Sequence, residues 1–63
     1  MIITFTRENH GASLRKLNKL KNKFVQARIY TATGNIDITT SSFDYLSDYC
    51  HAYTNFILDV TVD

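Results

Sequence analysis

The sequence predicts a small α+β domain built as a two-layer sandwich, with two helices on one face of a small antiparallel sheet. Three observations favour this fold class. The chain of 63 residues is 44% apolar and contains no proline, so we expect residues 1–63 to form a single domain. Four short runs are β-branched, aromatic or alternating, as strands are. Two further segments repeat apolar residues at helical spacing.

The first two elements are a strand and a helix. A β-branched and aromatic run predicts a strand over residues 2–6, with Ile3 and Phe5 on one face. A helix over residues 12–22 follows, because three leucines share one stripe of that segment. These leucines are Leu14, Leu17 and Leu20.

A β-hairpin comes next. Residues 24–33 and residues 36–39 both alternate with a period of two, and Gly34 and Asn35 between them are typical of a hairpin turn. One face of the first arm carries Val25, Ala27, Ile29 and Thr31, and the other carries Phe24, Gln26, Arg28 and Tyr30. We expect the first of these two faces to meet the core.

The last two elements are again a helix and a strand. Ser41 and Ser42 both offer an N-cap, and Ser41 stands three residues before Asp44, which is the spacing of a capping box. A helix at about 42–53 is predicted by Phe43, Leu46, Cys50 and Tyr53, which follow helical spacing. Residues 55–63 then alternate as a strand. The core face of that strand is predicted to carry Phe56, Leu58, Val60 and Val62.

The resulting βαββαβ order is similar to a ferredoxin-like, split-βαβ sandwich in miniature, a likeness of architecture that implies no function. The alternative architecture is a β-meander of three strands with one main helix, in which the first segment is a loosely attached arm. The sequence leaves open whether the first strand joins the main sheet.

Charge is divided between the two halves of the chain, although the formal net charge is only +1. Residues 1–33 contain all seven basic side chains and one acid, whereas residues 34–63 contain five aspartates and no lysine or arginine. Four of the cations fall on one quarter of the first helix. They are Arg15, Lys16, Lys19 and Lys23. Three interpretations stay open: a solvated face, a contact for an acidic protein, or a contact for the phosphates of DNA or RNA.

Two further surfaces are candidates for partner binding. The open face of the sheet is predicted to present Arg28 and Tyr30, residue types that are enriched at protein interfaces, beside Asp37. The alternative there is a solvated face with a cross-strand pair between Arg28 and Asp37. The second helix presents an acidic, tyrosine-bearing face, or else its tyrosine rings widen the core. The residues of this acidic face are Asp44, Tyr45 and Asp48.

Nothing in the sequence predicts a catalytic or metal centre, and we expect neither an enzyme nor a cofactor. Cys50 and His51 are adjacent, but consecutive residues of a helix point about 100° apart and do not face each other. Cys50 also falls on the core stripe. His10 precedes Gly11 in a loop, and no ligand-spacing motif pairs it with another residue.

Together these patterns predict a non-enzymatic binding protein that occludes or modulates a macromolecular partner. Short chains without motifs, rich in Asn, Ile, Lys, Phe and Tyr, are typical of phage and mobile-element inhibitors of host protein complexes. The lone cysteine indicates a reducing cytoplasm, that of the host cell if a phage encodes the chain, and no membrane span is expected. A protein partner is favoured. The alternative is a DNA- or RNA-binding regulator acting through the first helix, and a homo-oligomer stays open.

Overall fold

The computed structural model describes residues 1–31 and 35–63, and there it has four strands and two helices in the predicted order. The elements are β1 (Ile2–Phe5), α1 (His10–Lys19), β2 (Phe24–Thr31), β3 (Ile36–Thr40), α2 (Phe43–Ala52) and β4 (Phe56–Val62). The predicted α+β fold class is therefore confirmed. The predicted turn residue Gly34 lies outside the described residues.

The sheet is antiparallel throughout, in the order β1-β4-β2-β3. Each helix therefore connects two strands that are separated by a third, which is the split βαβ pattern. β2 and β4 are the central strands, whereas a ferredoxin-like sheet has its first and third strands there. β1 belongs to the sheet, because Ile3 pairs with Leu58 and Phe5 pairs with Phe56. The alternative with a loosely attached first segment is therefore wrong.

One core fills the space between the sheet and the two helices. α1 packs on β1, α2 packs on β2 and β3, and the two helices contact each other on the same side of the sheet. The buried apolar side chains are Ile3, Phe5, Leu17, Ala27, Ile29, Leu46, Cys50, Phe56, Leu58 and Val60. Each of them lies on a face or stripe that the sequence predicts to be buried.

A bulge at the start of β2 changes which side chains meet the core. Between Phe24 and Gln26 the register with β4 shifts by one residue, so Val25 has no partner. Val25 is 46% exposed, and Phe24 packs against the core instead, with its ring edge-on to Phe43 at 5.5 Å. Val62, near the end of the same ladder, is also exposed. The predicted core positions of Val25 and Val62 are therefore wrong.

A second bulge lies between β2 and β3. The register skips Asp37, and its carboxylate accepts a hydrogen bond from the Tyr49 hydroxyl on α2 at 3.1 Å. Arg28 is paired with Thr39 of β3 and with Asp59 of β4. The predicted cross-strand pair between Arg28 and Asp37 is therefore wrong, because the bulge moves the aspartate out of that register.

Local hydrogen bonds define the helix ends. α1 begins at His10, which the sequence places in a loop, and the His10 Nε2 donates to the carbonyl of Cys50 in the last turn of α2 at 2.6 Å. Ser42 is the N-cap of α2, because its Oγ accepts from the Tyr45 N–H at 3.2 Å. The predicted capping box at Ser41 is therefore wrong by one residue.

Candidate functional site

α1 follows a loop that closes part of the outer edge of β1. The Asn9 Nδ2 and the Ser13 Oγ both donate to the carbonyl of Thr4, at 3.1 and 3.0 Å. Asn9 is itself held in place, because its Oδ1 accepts from the Thr6 N–H at 2.7 Å. These bonds occupy the edge of β1 at Thr4, so another strand is hindered from pairing there.

The first half of β1 has an open edge. Met1 and Val60 exchange both backbone hydrogen bonds, at 2.8 and 2.7 Å. In an antiparallel ladder the next residue then turns its N–H and C=O away from the partner strand, so these groups of Ile2 point toward the outer edge. Groups of this kind are the ones that an extended peptide can pair with.

A cleft of about 360 Å³ lies beside Ile2, between β1 and the end of α1. It is lined by Met1, Ile2, Ile3, Lys16, Lys19 and Leu20. Met1 is 60% exposed whereas Ile3 is buried, so the apolar lining is open to solvent at Met1. The cleft therefore offers apolar contact and positive charge side by side, and we call it the β1–α1 cleft.

The two lysines of the cleft have no partner in the part of the chain that the structure describes. Neither Lys16 nor Lys19 forms a side-chain hydrogen bond or an ion pair there, and none of the described lining residues is acidic. Both stand near the C-terminal end of α1, where a cation interacts favourably with the helix dipole by about 0.3–1 kcal/mol. That interaction gives them a structural role and leaves their ammonium groups free to bind.

The structure divides the predicted basic face. The Arg15 guanidinium leans toward the beginning of α1, with its Nη1 3.8 Å from where a β-carbon on Gly11 would stand. Lys23 lies beyond α1, in the turn before β2, and its carbonyl accepts from the Asp63 N–H at 2.8 Å. Of the four predicted cations, the β1–α1 cleft brings together only Lys16 and Lys19.

The open face of the sheet presents Arg28 and Tyr30, as the sequence predicts. Tyr30 is paired with Ile57 of β4 and with Ile36 of β3, which are 42% and 51% exposed. These two isoleucines are not among the predicted site residues, although alternation along β4 places Ile57 on the outward face. The open face is therefore more apolar than predicted.

The acidic face of α2 is exposed at Asp44, Tyr45 and Asp48. Asp44 stands in the first turn of α2, where a carboxylate stabilises the helix through its dipole. This helix-stabilising role explains an aspartate at this position without a binding partner. Tyr49 is not part of this exposed face, because its ring packs edge-on against the buried Phe56 at 5.1 Å. Burial and the hydrogen bond to Asp37 raise the pKa of Tyr49 from 10.0 to about 12, so its hydroxyl stays protonated at neutral pH.

The cysteine and the histidines do not form a reactive centre in the described residues. Cys50 is fully buried, and burial raises its pKa from 9.0 to about 12, so the thiolate needed for nucleophilic chemistry is not formed at neutral pH. His51 bonds through its Nδ1 to the Ser47 carbonyl at 2.8 Å. Across residues 1–31 and 35–63, no three His, Cys, Asp or Glu side chains come together as metal ligands.

Comparison of the chain with models of protein families, with curated proteins and with solved structures found no match. In the described part of the chain, neither helix is long and apolar enough to cross a membrane. The fold and its surfaces define a small α+β domain with an apolar and basic cleft at one sheet edge. The β1–α1 cleft and the open sheet face are therefore its candidate binding surfaces.

Proposed function

We propose that this protein is a non-enzymatic binding module that occludes a short acidic and apolar segment of a partner protein by seating it in the β1–α1 cleft. The observation that supports this function is the pair Lys16 and Lys19, unpaired beside an apolar lining. The Ile2 backbone groups at the open edge add hydrogen-bonding capacity for an extended segment.

The apolar lining favours a protein segment over nucleic acid. A phosphate backbone has no apolar side chain to place against Met1 and Leu20, whereas a leucine-sized side chain gains about 1.5–3 kcal/mol from full burial. Two phosphate contacts at Lys16 and Lys19 would give a salt slope of only about −1.8, at roughly −0.9 per contact. The remaining cations are dispersed, with Arg15 leaning away and Lys23 outside α1.

The expected affinity of an isolated segment is low. Two exposed lysine–carboxylate pairs contribute about 0.2–1 kcal/mol each, and one buried apolar side chain adds about 1.5–3 kcal/mol. The sum is about 2–5 kcal/mol before the entropic cost of association, and a Kd of about 1 mM corresponds to roughly 4 kcal/mol, so a Kd in the millimolar range or weaker is expected. A functional partner would therefore need further contacts outside the cleft.

A titration followed by two-dimensional ¹⁵N NMR tests the proposal, because it measures millimolar binding residue by residue. The probe is an acetylated seven-residue peptide that alternates leucine with aspartate, and its control replaces each aspartate with lysine. We expect the acidic peptide alone to shift the amides of Ile2, Lys16 and Lys19. The variant Lys16→Glu/Lys19→Glu should lose this response. The matched variant Lys21→Glu/Lys23→Glu, with the same change in charge outside the cleft, should keep it.

Two results would overturn the proposal. The first is equal binding of the acidic peptide by both double variants, since the cleft would then not be the site. The second is tighter binding of a 20-base-pair DNA duplex or a single strand than of the peptide, with a salt slope steeper than two phosphates give. That result would favour the alternative function, a nucleic-acid-binding regulator.

A further inference from the structure

The open face of the sheet is self-complementary in charge. Arg28 on β2 and Asp59 on β4 are paired in register, and both strands are central. The neighbouring register pairs on this face are uncharged. They are Tyr30 with Ile57 and Gln26 with Thr61. The centre of the face therefore carries one cation and one anion side by side, with no net charge.

We propose that a second copy of this chain covers this face and forms a two-fold symmetric dimer. The two-fold axis runs in the interface, parallel to β2 and β4 and midway between them. It places β2 of each copy opposite β4 of the other copy. Arg28 of each copy then lies opposite Asp59 of the other. The same operation places Tyr30 of each copy opposite Ile57 of the other. One alignment of the two copies therefore makes both the charged contact and the apolar contact, and each occurs twice, as in any two-fold symmetric interface.

The available area suits a weak, reversible dimer. The strands have between four and eight residues, and at about 4.8 Å by 3.3 Å for each residue the face measures roughly 380 Å². Two such faces bury roughly 800 Å², below the area of about 1,200–2,000 Å² that is usual in stable interfaces. The exposed isoleucines of the face, which would lose their contact with water, are Ile2, Ile36 and Ile57.

Other occupants suit the face less well. Asp59 stands at its centre and repels the phosphates of a nucleic acid or of an anionic lipid surface. Removing Asp59 from water without a cation opposite it is costly, and the second copy supplies that cation as Arg28. Because both helices lie on the other side of the sheet, the dimer leaves Lys16 and Lys19 exposed. The dimer does not depend on the function proposed for the cleft.

A charge-reversal series tests the dimer by sedimentation equilibrium between about 10 µM and 1 mM protein. The wild type should approach twice the mass of 7.3 kDa as concentration rises. Arg28→Glu leaves two acids on the face and Asp59→Arg leaves two bases, so each variant should dimerise at least tenfold more weakly. An equimolar mixture of the two should regain the dimer, because each acid then faces a base of the other chain. Lys21→Glu, which is off the face, should behave as the wild type.

Circular dichroism and urea unfolding establish that each variant is folded before its mass is interpreted. A wild type that stays monomeric at 1 mM would overturn the proposal, and so would single variants that dimerise like the wild type. A mixture of folded variants that stays monomeric would overturn it as well. Binding of single-stranded DNA or of anionic vesicles by a monomeric wild type, lost in Arg28→Glu, would assign the face to that partner instead.

Discussion

Replacing Asn9 with alanine should release β1 from the loop that leads into α1. The side chain makes two hydrogen bonds, from the Thr6 N–H to its Oδ1 at 2.7 Å and from its Nδ2 to the Thr4 carbonyl at 3.1 Å. At about 0.5–1.5 kcal/mol for each bond, we expect a loss of about 1–3 kcal/mol. A domain of 63 residues is stable by roughly 3–9 kcal/mol, so the loss is a large share of the total.

Two variants separate the bonds of Asn9. Asn9→Asp keeps the acceptor for the Thr6 N–H and loses the donor to Thr4, so it should lose about half as much stability as Asn9→Ala. Urea unfolding followed by circular dichroism gives the free energies, and amide hydrogen exchange should become faster at Ile3 and Phe5 of β1. A change below about 0.3 kcal/mol in Asn9→Ala, or unchanged exchange in β1, would refute the reasoning that these bonds secure β1.

Two further predictions concern the cap of α2 and the alkaline limit of stability. Ser42→Ala should lower the free energy of unfolding by about 0.5–2 kcal/mol, while Ser41→Ala should change it by less than about 0.5 kcal/mol; equal losses in urea unfolding would contradict the cap assignment. Because the pKa of Tyr49 rises from 10.0 to about 12 on folding, the folded state holds that proton more tightly, and stability should fall as pH rises from 10 to 12. Tyr49→Phe should remove this decline and leave only the decline that begins at pH 9, because the pKa of Cys50 is also raised, from 9.0 to about 12. Parallel plots of unfolding free energy against pH for the variant and the wild type would contradict the assigned role of Tyr49.

Side-chain periodicity predicted every buried apolar side chain, but it also placed Val25 and Val62 in the core, where the structure exposes them. Alternation in the strands selected buried positions such as Ala27 and Leu58, and helical spacing selected Leu17 and Leu46. These positions follow from the geometry of a single element, which repeats every two residues in a strand and every 3.6 in a helix. The order of the elements then left few architectures that bury all the apolar faces.

The features that periodicity could not predict depend on contacts between elements. An extra residue in a ladder reverses the faces around it, and nothing in the alternating pattern marks Val25 or Asp37 as the residue that is skipped. The β1–α1 cleft also depends on contacts between elements. Lys16 and Lys19 were predicted as exposed cations, but their place beside Met1 arises from the packing of α1 on β1, and these elements share no local pattern.

The assignment of the β1–α1 cleft is tested most directly by locating the bound acidic and apolar peptide on the protein. Isotope-filtered nuclear Overhauser spectra, recorded with ¹³C-labelled protein and the unlabelled leucine–aspartate peptide, identify which side chains lie within about 5 Å of the peptide leucines. We predict contacts from the leucine methyl groups to Met1 and Leu20. Contacts to Ile57 on the open sheet face, or to Tyr45 on α2, would contradict the assignment of the β1–α1 cleft as the binding site.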